Sequence, residues 1–546
     1  MRKLLFLAFA ATMITAASYA CVRPEENEPE DIKVTSIMLD KKEVTLLQGQ
    51  SITLTATVSP DNATDPTVKW ESSSPSVVSV DNNGVVTALQ AGTSEITASA
   101  GTKKATCTIT VQLSAQKYLT FSSEGTTTIA LYNYGRTAPT LYYSNDKTTW
   151  TKWDYSAITF SSGSPLYICG KNLEGFSFNI TSGAEKYSAF AASGDKFGIS
   201  GDIMSLIDKD QDVYTIPTSD CFGLLFSFCS NLTYPPTLSA TTLTPMCYAG
   251  MFYSCTSLTS APELPATTLS SSCYLSMFEG CTNLTSAPDL PATTLAASCY
   301  DGLFYGCTSL MNAPALPATT LQDECYGYMF YNCTSLATAP ALPATTLAPS
   351  CYEQMFCGCT SLAGAPELPA TTLADECYEG MFEGCINLSS APALPATSLA
   401  DYCYVGMFEN CTSLTSAPAL PATSLTLMCY LSMFMGCSSL TEAPELPADN
   451  LVEYCYSGMF MDCKSLMRAP VLPAKTLSVG CYYGMFHGCN SLNYVKCLAS
   501  DISAESSLTN WLADVASDGT FVKATNMTAW TSGPNGIPQG WSILSE

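Results

Sequence analysis

The chain has 546 residues, and its 47 acidic side chains outnumber its 22 basic ones, for a formal net charge of -25. This length exceeds what one hydrophobic core supports, so several modules are expected. The negative charge repels phosphate and argues against nucleic acid as a partner. The sequence contains one histidine, His487, and no glycine-rich phosphate loop or metal-ligand cluster. We therefore predict neither enzymatic activity nor a bound metal or cofactor.

The N-terminal segment predicts export. Arg2 and Lys3 precede the apolar run of residues 4–17, which has the length of a secretory signal and is too short to span a bilayer. A signal peptide is therefore predicted over residues 1–20. Residues 21–31 form an acidic, proline-containing stretch that cannot pack a core, which predicts a tether.

The junction between these two segments predicts lipidation. Ala20 followed by Cys21 resembles the lipobox of bacterial lipoproteins, in which the cysteine is acylated and becomes the mature N-terminus. The acidic stretch behind it resembles the surface-export signal of lipoproteins from Bacteroides-like bacteria. These resemblances imply an outer-membrane lipid anchor and display at the cell surface, and ordinary cleavage after Ala20 is the alternative. No later segment has eighteen consecutive apolar residues, so no other membrane contact is expected.

Residues 32–112 predict a small β-sandwich, because short alternating apolar runs are separated by turn residues. Asn83 and Gly84 between valine-rich runs predict a hairpin, since both residues tolerate positive φ. The string over residues 68–93 resembles the group 2 bacterial immunoglobulin-like domain, and Trp70 within it is interpreted as a core residue. The resemblance implies a stalk or adhesion module of a surface protein.

Residues 113–220 predict a second β-rich domain that also forms the N-terminal cap of the C-terminal half of the chain. Trp150, Trp153 and Tyr155 lie close together in this region. Half-buried packing is the favoured interpretation of these aromatic residues, and a sugar-stacking face is the alternative.

The C-terminal half is a repeat array. From Cys221 onward cysteine recurs every 26 residues, and a second cysteine column lies eight residues after the first. Eleven units result. A unit that cannot bury its own apolar face must stack on its neighbours, so a solenoid is predicted over residues 221–505. Residues 506–546 differ in composition and are predicted to form the C-terminal cap.

Each repeat predicts two structural parts. Cys273, Met277 and Cys281 are spaced four apart, which indicates one face of a short helix. Pro288 and Pro291 lack amide protons and permit at most a short, irregular parallel strand. The predicted fold class is therefore modular and mainly β: an immunoglobulin-like sandwich, a second β-rich domain and a leucine-rich-repeat-like α/β solenoid.

The repeat also resembles a known family. Residues 277–284, which include Phe278 and the Gly280-Cys281 pair, together with Leu290, resemble the BspA-like leucine-rich repeats. The resemblance implies a cell-surface array that binds host or bacterial proteins, with no catalytic residues carried over. The chain departs from that family in its proline-rich segment and in a longer period.

The cysteine and tyrosine columns allow several interpretations. Buried free thiols are favoured over disulfides, because stacked side chains point in parallel and not toward each other, and metal sites are least favoured. A tyrosine column follows the first cysteine column, beginning at Tyr248. Aromatic packing between repeats is the favoured interpretation of that column, and a glycan-stacking ladder is the alternative.

The candidate binding surface lies at variable positions beside the predicted strand. These positions are Glu263, Asp289, Glu367 and Glu445. A flat face of small and acidic residues suits an extracellular protein, from a host or from bacteria, better than it suits a small molecule. The predicted function is thus a surface-displayed binding or adhesion protein. The alternative is a glycan-binding outer-membrane lipoprotein that captures nutrients.

Overall fold

The computed structural model describes residues 31–47, 49–89, 92–112, 117–179, 186–209 and 215–546. The predicted signal peptide, Cys21 and nearly all of the predicted tether lie outside these residues. The described residues contain β-strands, one short 3-10 helix at Ile203–Leu206 and no α-helix. The chain divides into two compact units, Met1–Leu113 and Ser114–Glu546, which are described separately.

The first unit is all β. Its strands are β1 (Ser36–Leu39), β2 (Glu43–Leu47), β3 (Ser51–Thr53), β4 (Ala56–Ser59), β5 (Lys69–Ser72), β6 (Val78–Val80), β7 (Val85–Ala88), β8 (Gly92–Ala100) and β9 (Lys103–Gln112). They form the pair β1-β4 and two sheets of order β2-β9-β8-β5 and β3-β7-β6. All pairings are antiparallel except that between β2 and β9. The sheets enclose an apolar cluster that includes Val78, Val86 and Ile109.

The predicted hairpin joins β6 to β7. Asp81 closes its turn, since its carboxylate accepts hydrogen bonds from the amides of Asn83 and Val85, each at 2.8 Å. Gly84 has a φ of 79°, and a Cβ there would lie 2.8 Å from the Trp70 ring. Only glycine therefore fits between the turn and the indole. Trp70 packs against the core cluster, as predicted.

The second unit begins with two packed sheets. Their strands are β10 (Leu119–Ser123), β11 (Thr126–Tyr134), β12 (Leu141–Ser144), β13 (Thr151–Lys152), β14 (Ile158–Ser161), β15 (Leu166–Gly170), β16 (Ser177–Phe178), β17 (Lys186–Gly194), β18 (Phe197–Ser200) and β19 (Leu232–Tyr234). The sheet orders are β13-β12-β15-β10-β18-β19 and β14-β11-β17-β16. Between the sheets Phe121 packs against Phe160, Phe190 and Phe197.

The aromatic trio of this region forms no sugar-stacking face. Trp153 is 1% exposed, and its indole N–H donates to the carbonyl of Ser156 at 2.8 Å. Tyr155 donates its hydroxyl proton to the carbonyl of Pro139. Trp150 packs against the Tyr118 ring, with centroids 5.8 Å apart. The packing interpretation of these residues is therefore confirmed.

The repeats coil through a ribbon of β-turns. We call the segment between the two cysteines of a coil, residues 273–281 in the example coil, the turn ribbon. Along it alternate amides bond within the coil, as Met277 N–H does to the Tyr274 carbonyl at 3.2 Å. The amides between them bond to the next coil, as Phe278 N–H does to the Leu303 carbonyl at 3.0 Å. Every amide of the example ribbon thus has a partner: four of the nine bond to the next coil and five bond within the coil.

The predicted helical face of the repeat is wrong, because the ribbon requires left-handed residues at every fourth position. In the example coil Ser272, Ser276 and Gly280 have φ values of 51°, 49° and 72°. An α-helix contains no such residue and bonds each amide to the carbonyl four residues earlier. Alternating turns also return a side chain to the same face every four residues. The apolar spacing of four therefore fits both structures, and the sequence pattern alone did not separate them.

Two aromatic columns fill the solenoid core. The tyrosine rings stack from coil to coil at 5.7 to 6.3 Å and are at most 2% exposed. A parallel phenylalanine column has centroids 5.6 to 5.8 Å apart. Because the tyrosine rings are buried, the packing interpretation of that column is confirmed and a glycan cannot stack on it.

The cysteines of both repeat columns are buried and form no disulfides, as predicted. The thiol of Cys281 donates to the Phe252 carbonyl of the preceding coil, with sulfur and oxygen 3.1 Å apart. That carbonyl also accepts the amide of Cys255 at 3.1 Å. Cysteine is small and apolar yet carries a weak donor, so it fills this position and supplies the carbonyl's second bond.

The proline-containing segments contribute few regular strands. Isolated parallel bridges join neighbouring coils there, for example Thr268 to Thr294. Regular pairing appears at the C-terminal end in a parallel sheet of β20 (Arg468–Leu472), β21 (Tyr494–Cys497), β22 (Thr520–Lys523) and β23 (Ser542–Ser545). The prolines therefore limit strand length in the repeats, as predicted.

Both ends of the array are covered by residues that continue its core. At the start the amides of Phe176 and Phe190 donate to the carbonyls of the first coil, at Cys221 and Leu225. At the end the turn ribbon continues through residues 505–514, where Trp511 stacks on Tyr482 with centroids 6.2 Å apart. The apolar core of the second unit is thus continuous from the β-sheets through the coils.

The left-handed positions can be tested with a matched pair of glycines. Gly306 has a φ of 68°, and a Cβ there would be 3.9 Å from its nearest neighbours, so Gly306→Ala adds backbone strain without a clash. The variant should lower the free energy of unfolding by about 1 kcal/mol. Gly306→Asn should lower it less, since asparagine tolerates this conformation. Gly327 lies in an equivalent ribbon without a positive φ, so Gly327→Ala should be neutral in the same urea titration. Equal losses for both alanines would contradict this account.

Candidate functional site

The turn ribbon carries two rows of side chains that alternate with the core columns, which we call the outer ribbon face. Ala249, Gly327, Cys357 and Ser457 in these rows are buried, and the other members are partly or fully exposed. The first row follows the tyrosine column: Ala249, Leu275, Asp301, Gly327, Glu353, Glu379, Val405, Leu431, Ser457 and Tyr483. The second row follows the phenylalanine column: Tyr253, Glu279, Tyr305, Tyr331, Cys357, Glu383, Glu409, Met435, Met461 and His487. Unlike the core columns, these rows change from coil to coil. They are therefore positions where coils can differ without disturbing the core.

Carboxylates concentrate in the middle of this face. Burial raises the pKa of Asp301 to about 7, and the neighbouring Glu324 and Glu353 add to the effect. Burial likewise raises the pKa of Glu379 to about 7, with Glu353 and Glu376 contributing. Glu409 also has its pKa raised to about 7 by burial and by Glu383. Consecutive coils thus hold acidic groups close enough to repel one another.

Tyrosines border the carboxylates. The rings of Tyr305 and Tyr331 stack with centroids 4.5 Å apart. The Tyr328 hydroxyl donates a hydrogen bond to the Glu353 carboxylate. The resulting surface combines negative charge with aromatic faces, both of which attract cationic groups such as lysine and arginine.

The outer tyrosine pair stacks more closely than the core pair. In the two coils that carry Tyr305 and Tyr331, the buried rings of Tyr300 and Tyr326 are 5.9 Å apart, whereas the outer rings are 4.5 Å apart. The two outer rings therefore form one aromatic patch that spans two coils.

The acidic residues predicted from the sequence lie elsewhere on the coil. Glu263, Asp289, Glu367 and Glu445 are all exposed and occupy one register position in the proline-containing segment. Alanine occupies the same position in other coils between them, so the structure does not bring the four together. Sequence reasoning missed the outer ribbon face because its two rows were assigned to a helix. The signal available was the change of residue type after each tyrosine and phenylalanine.

Within the described residues, no group of three or more His, Cys, Asp or Glu side chains is arranged to hold a metal ion. The same part of the chain contains no helix that is long and apolar enough to cross a bilayer.

Comparisons with protein families agree with this architecture. Residues 33–109 match the model of the bacterial Ig-like domain (group 2). Residues 225–363 and 328–467 match the model of the BspA type leucine rich repeat region. The chain carries a bacterial Ig-like domain and BspA-type leucine-rich repeats. The resemblances drawn from the tryptophan-containing strand pattern and from the Phe, Gly-Cys and Leu positions of the repeat are thereby confirmed.

Similarity to individual proteins is local. An uncharacterized protein of Clostridium acetobutylicum is 42% identical over 83 residues, which is 15% of this chain and 9% of that protein. An alpha-L-arabinofuranosidase of Bifidobacterium longum is 38% identical over 86 residues, 15% of this chain and 8% of that enzyme. The chain thus spans less than a tenth of the length of these two relatives.

The raised carboxylate pKa values predict a pH-dependent stability. Asp301, Glu379 and Glu409 bind protons up to about pH 7 in the folded chain and release them near pH 4 when unfolded. The folded state therefore binds more protons between these values, and its stability falls as the pH rises through that window. The triple variant Asp301→Asn/Glu379→Gln/Glu409→Gln should melt at a higher temperature than the parent at pH 8 and show a flatter profile between pH 5 and 8.

The matched control for that measurement is Glu263→Gln/Glu367→Gln/Glu445→Gln, which removes the same charge from exposed positions. It should leave the pH profile of the melting temperature unchanged. If both triple variants shift the profile equally, then the overall net charge and not the outer ribbon face causes the dependence.

Proposed function

We propose that this protein is a surface-displayed binding or adhesion protein that carries out no catalysis and holds extracellular proteins on the outer ribbon face. The observation that supports this most directly is the row of carboxylates and tyrosines that the outer ribbon face carries between Asp301 and Glu409. BspA-type repeats and an Ig-like domain fit a surface binding protein. The chain's negative charge favours basic partner surfaces and disfavours nucleic acid.

Display at the cell surface is part of the proposal. The signal peptide predicted over residues 1–20, the lipobox-like Cys21 and the acidic tether behind it support export and an outer-membrane lipid anchor. Two or more acyl chains hold a protein at a membrane far more stably than one. The anchor would be the protein's membrane attachment, and the described modules would project from it.

A second candidate function is glycan capture for nutrition. It is favoured by exposed aromatic side chains on β11, where Tyr132 is 54% exposed and Tyr134 is 49% exposed. The Tyr134 ring stacks on Tyr187 with centroids 4.5 Å apart. Aromatic rings on an open sheet face can cover the apolar faces of sugars. Binding to a glycan array that is lost in Tyr132→Ala/Tyr134→Ala, with protein binding retained, would favour this candidate.

The outer ribbon face can be tested by capture from an extract of host extracellular matrix and mucus proteins. The triple variant Asp301→Asn/Glu379→Gln/Glu409→Gln should capture at least about tenfold less protein, because loss of charge at a desolvated interface costs more than about 1.4 kcal/mol. Glu263→Gln/Glu367→Gln/Glu445→Gln should capture as much as the parent. The opposite ranking would place binding on the proline-containing face, and equal capture by all three proteins would refute the proposed site.

Anchoring can be tested separately with Cys21→Ala. A protein held by an acylated cysteine should move from the membrane fraction to the soluble fraction when that thiol is removed. Circular dichroism and capture assays of the released protein should match those of the parent, since Cys21 precedes the first strand of the Ig-like domain. A Cys21→Ala protein that still sediments with membranes would show that another contact holds it there.

A further inference from the structure

A pocket of about 300 Å³ opens in the C-terminal cap. Its inner wall is apolar, because Met527, Ile537 and Trp541 line it and are 3%, 4% and 7% exposed. Small-molecule sites enclose roughly 300–1,000 Å³ and combine a mostly apolar lining with a few polar groups. The volume lies at the lower end of this range, so the pocket suits a ligand of one or two rings.

The aromatic stack of the solenoid core ends at this pocket. Trp511 stacks on Tyr482, the last ring of the tyrosine column, and Trp530 stacks on Trp511 with centroids 5.7 Å apart. Phe521 contacts Trp530 edge to face. Trp530 lines the pocket and is partly exposed, and no further ring among the described residues stacks on it. A ring bound in the pocket would therefore continue the stack.

Packing of the cap does not require an indole at position 530. The indole nitrogens of Trp511 and Trp541 donate to the carbonyls of Gly536 and Ala516 at 2.9 and 2.8 Å. Trp530 Nε1 is buried and has no hydrogen-bond partner within the described part of the chain. Leaving a buried donor unpaired is unfavourable, and phenylalanine would stack on Trp511 without that cost. What the indole adds is a larger aromatic face beside the pocket.

The loop that forms one wall of the pocket is fixed in place. The amide of Ile537 donates to the Thr531 carbonyl at 2.9 Å, and the amide of Gly533 donates to the Ile537 carbonyl at 2.8 Å. Trp511 anchors the same loop through the Gly536 carbonyl. A Cβ on Gly536 would lie 2.1 Å from the Thr531 carbonyl oxygen, so only glycine permits this closure. A wall that is already ordered lowers the entropic cost of binding.

The mouth of the pocket is polar and uncharged. Its exposed lining residues are Thr528, Thr531, Ser532 and Gln539. Their hydroxyl and amide groups both donate and accept hydrogen bonds. No carboxylate lines the pocket, and the ammonium of Lys523, which does, donates to the Met527 carbonyl. A pyranose has the matching chemistry, since one face carries C–H groups and the edge carries hydroxyls.

We propose that this pocket binds a neutral pyranose, either as a free sugar or as the end of a glycan chain. The apolar face of the sugar packs against Trp530 and the apolar wall, and its hydroxyls bond to the polar side chains at the mouth. The site is separate from the exposed tyrosines of β11. It does not depend on protein binding by the outer ribbon face.

The test uses the full chain and four probes, the methyl pyranosides of glucose, galactose, mannose and N-acetylglucosamine, with binding measured by saturation-transfer NMR. At least one probe should bind at millimolar concentration. Trp530→Phe keeps a stacked ring and should raise the dissociation constant at least about fivefold, because its smaller face covers less of the sugar. Gln539→Ala, at an exposed position, should raise it about fivefold, as the loss of one neutral hydrogen bond does. Tyr132→Ala/Tyr134→Ala should bind as tightly as the parent.

Three results would overturn the site. In the first, none of the four probes binds at millimolar concentration. In the second, Tyr132→Ala/Tyr134→Ala abolishes binding, which places the sugar on β11. In the third, Trp530→Phe and Gln539→Ala both bind as tightly as the parent. Circular dichroism of each variant separates a loss of binding from a loss of fold.

Discussion

The hydrogen bond from every second ribbon amide to the next coil is the interaction on which the rest of the second unit depends. It uses four of the nine amides of the example ribbon, as Ser276 N–H bonding to the Asp301 carbonyl at 2.8 Å illustrates. The remaining amides close turns within the coil, so both sets are satisfied only when turns of two kinds alternate. That alternation requires a left-handed residue at every fourth position. It also brings each cysteine, tyrosine and phenylalanine back to the same side of the coil.

This hydrogen-bonding pattern fixes the residue types in the core and leaves those on the outer ribbon face free to vary. Inside, identical residues stack on identical residues, and a thiol such as that of Cys281 completes a carbonyl's bonding while burial raises its pKa to about 12. A buried thiol with a raised pKa remains protonated and a poor nucleophile. Outside, the residues differ from coil to coil, so acidic, aromatic and apolar side chains can succeed one another along one regular backbone. Binding properties can therefore change without repacking the core.

Electrostatic repulsion on the outer face is a cost that the stacked core offsets. Asp301, Glu379 and Glu409 would each be more stable ionised in water than between neighbouring carboxylates. Such groups gain most from a partner that brings positive charge, because binding removes both the repulsion and the unfavourable burial. Under the proposed function, the face whose carboxylates repel one another in the isolated chain is the face that binds a basic partner.

Much of the organisation was predictable from the sequence. The 26-residue period, the buried thiols, the packed tyrosine column, the Asn83-Gly84 hairpin and both family resemblances were predicted from residue types and spacing, because a repeated core position must keep its chemistry in every coil. The left-handed backbone also left a signal in the sequence. Each coil has three left-handed positions, and the third lies seven residues after the first cysteine of the coil. From the second coil onward this third position holds glycine, asparagine, aspartate or serine, as at Gly306 and Asn332.

Only the tertiary structure decided that the segment between the cysteines is a turn ribbon and not a helix. A spacing of four apolar residues fits both, and the choice rests on whether amides bond within the coil or to its neighbour, which is a contact between residues 25 apart. The same choice determined which residues form the outer ribbon face. It moved the candidate binding surface from Glu263 and its equivalents to the row beside Asp301, because only the stacking of coils places residues from distant repeats side by side.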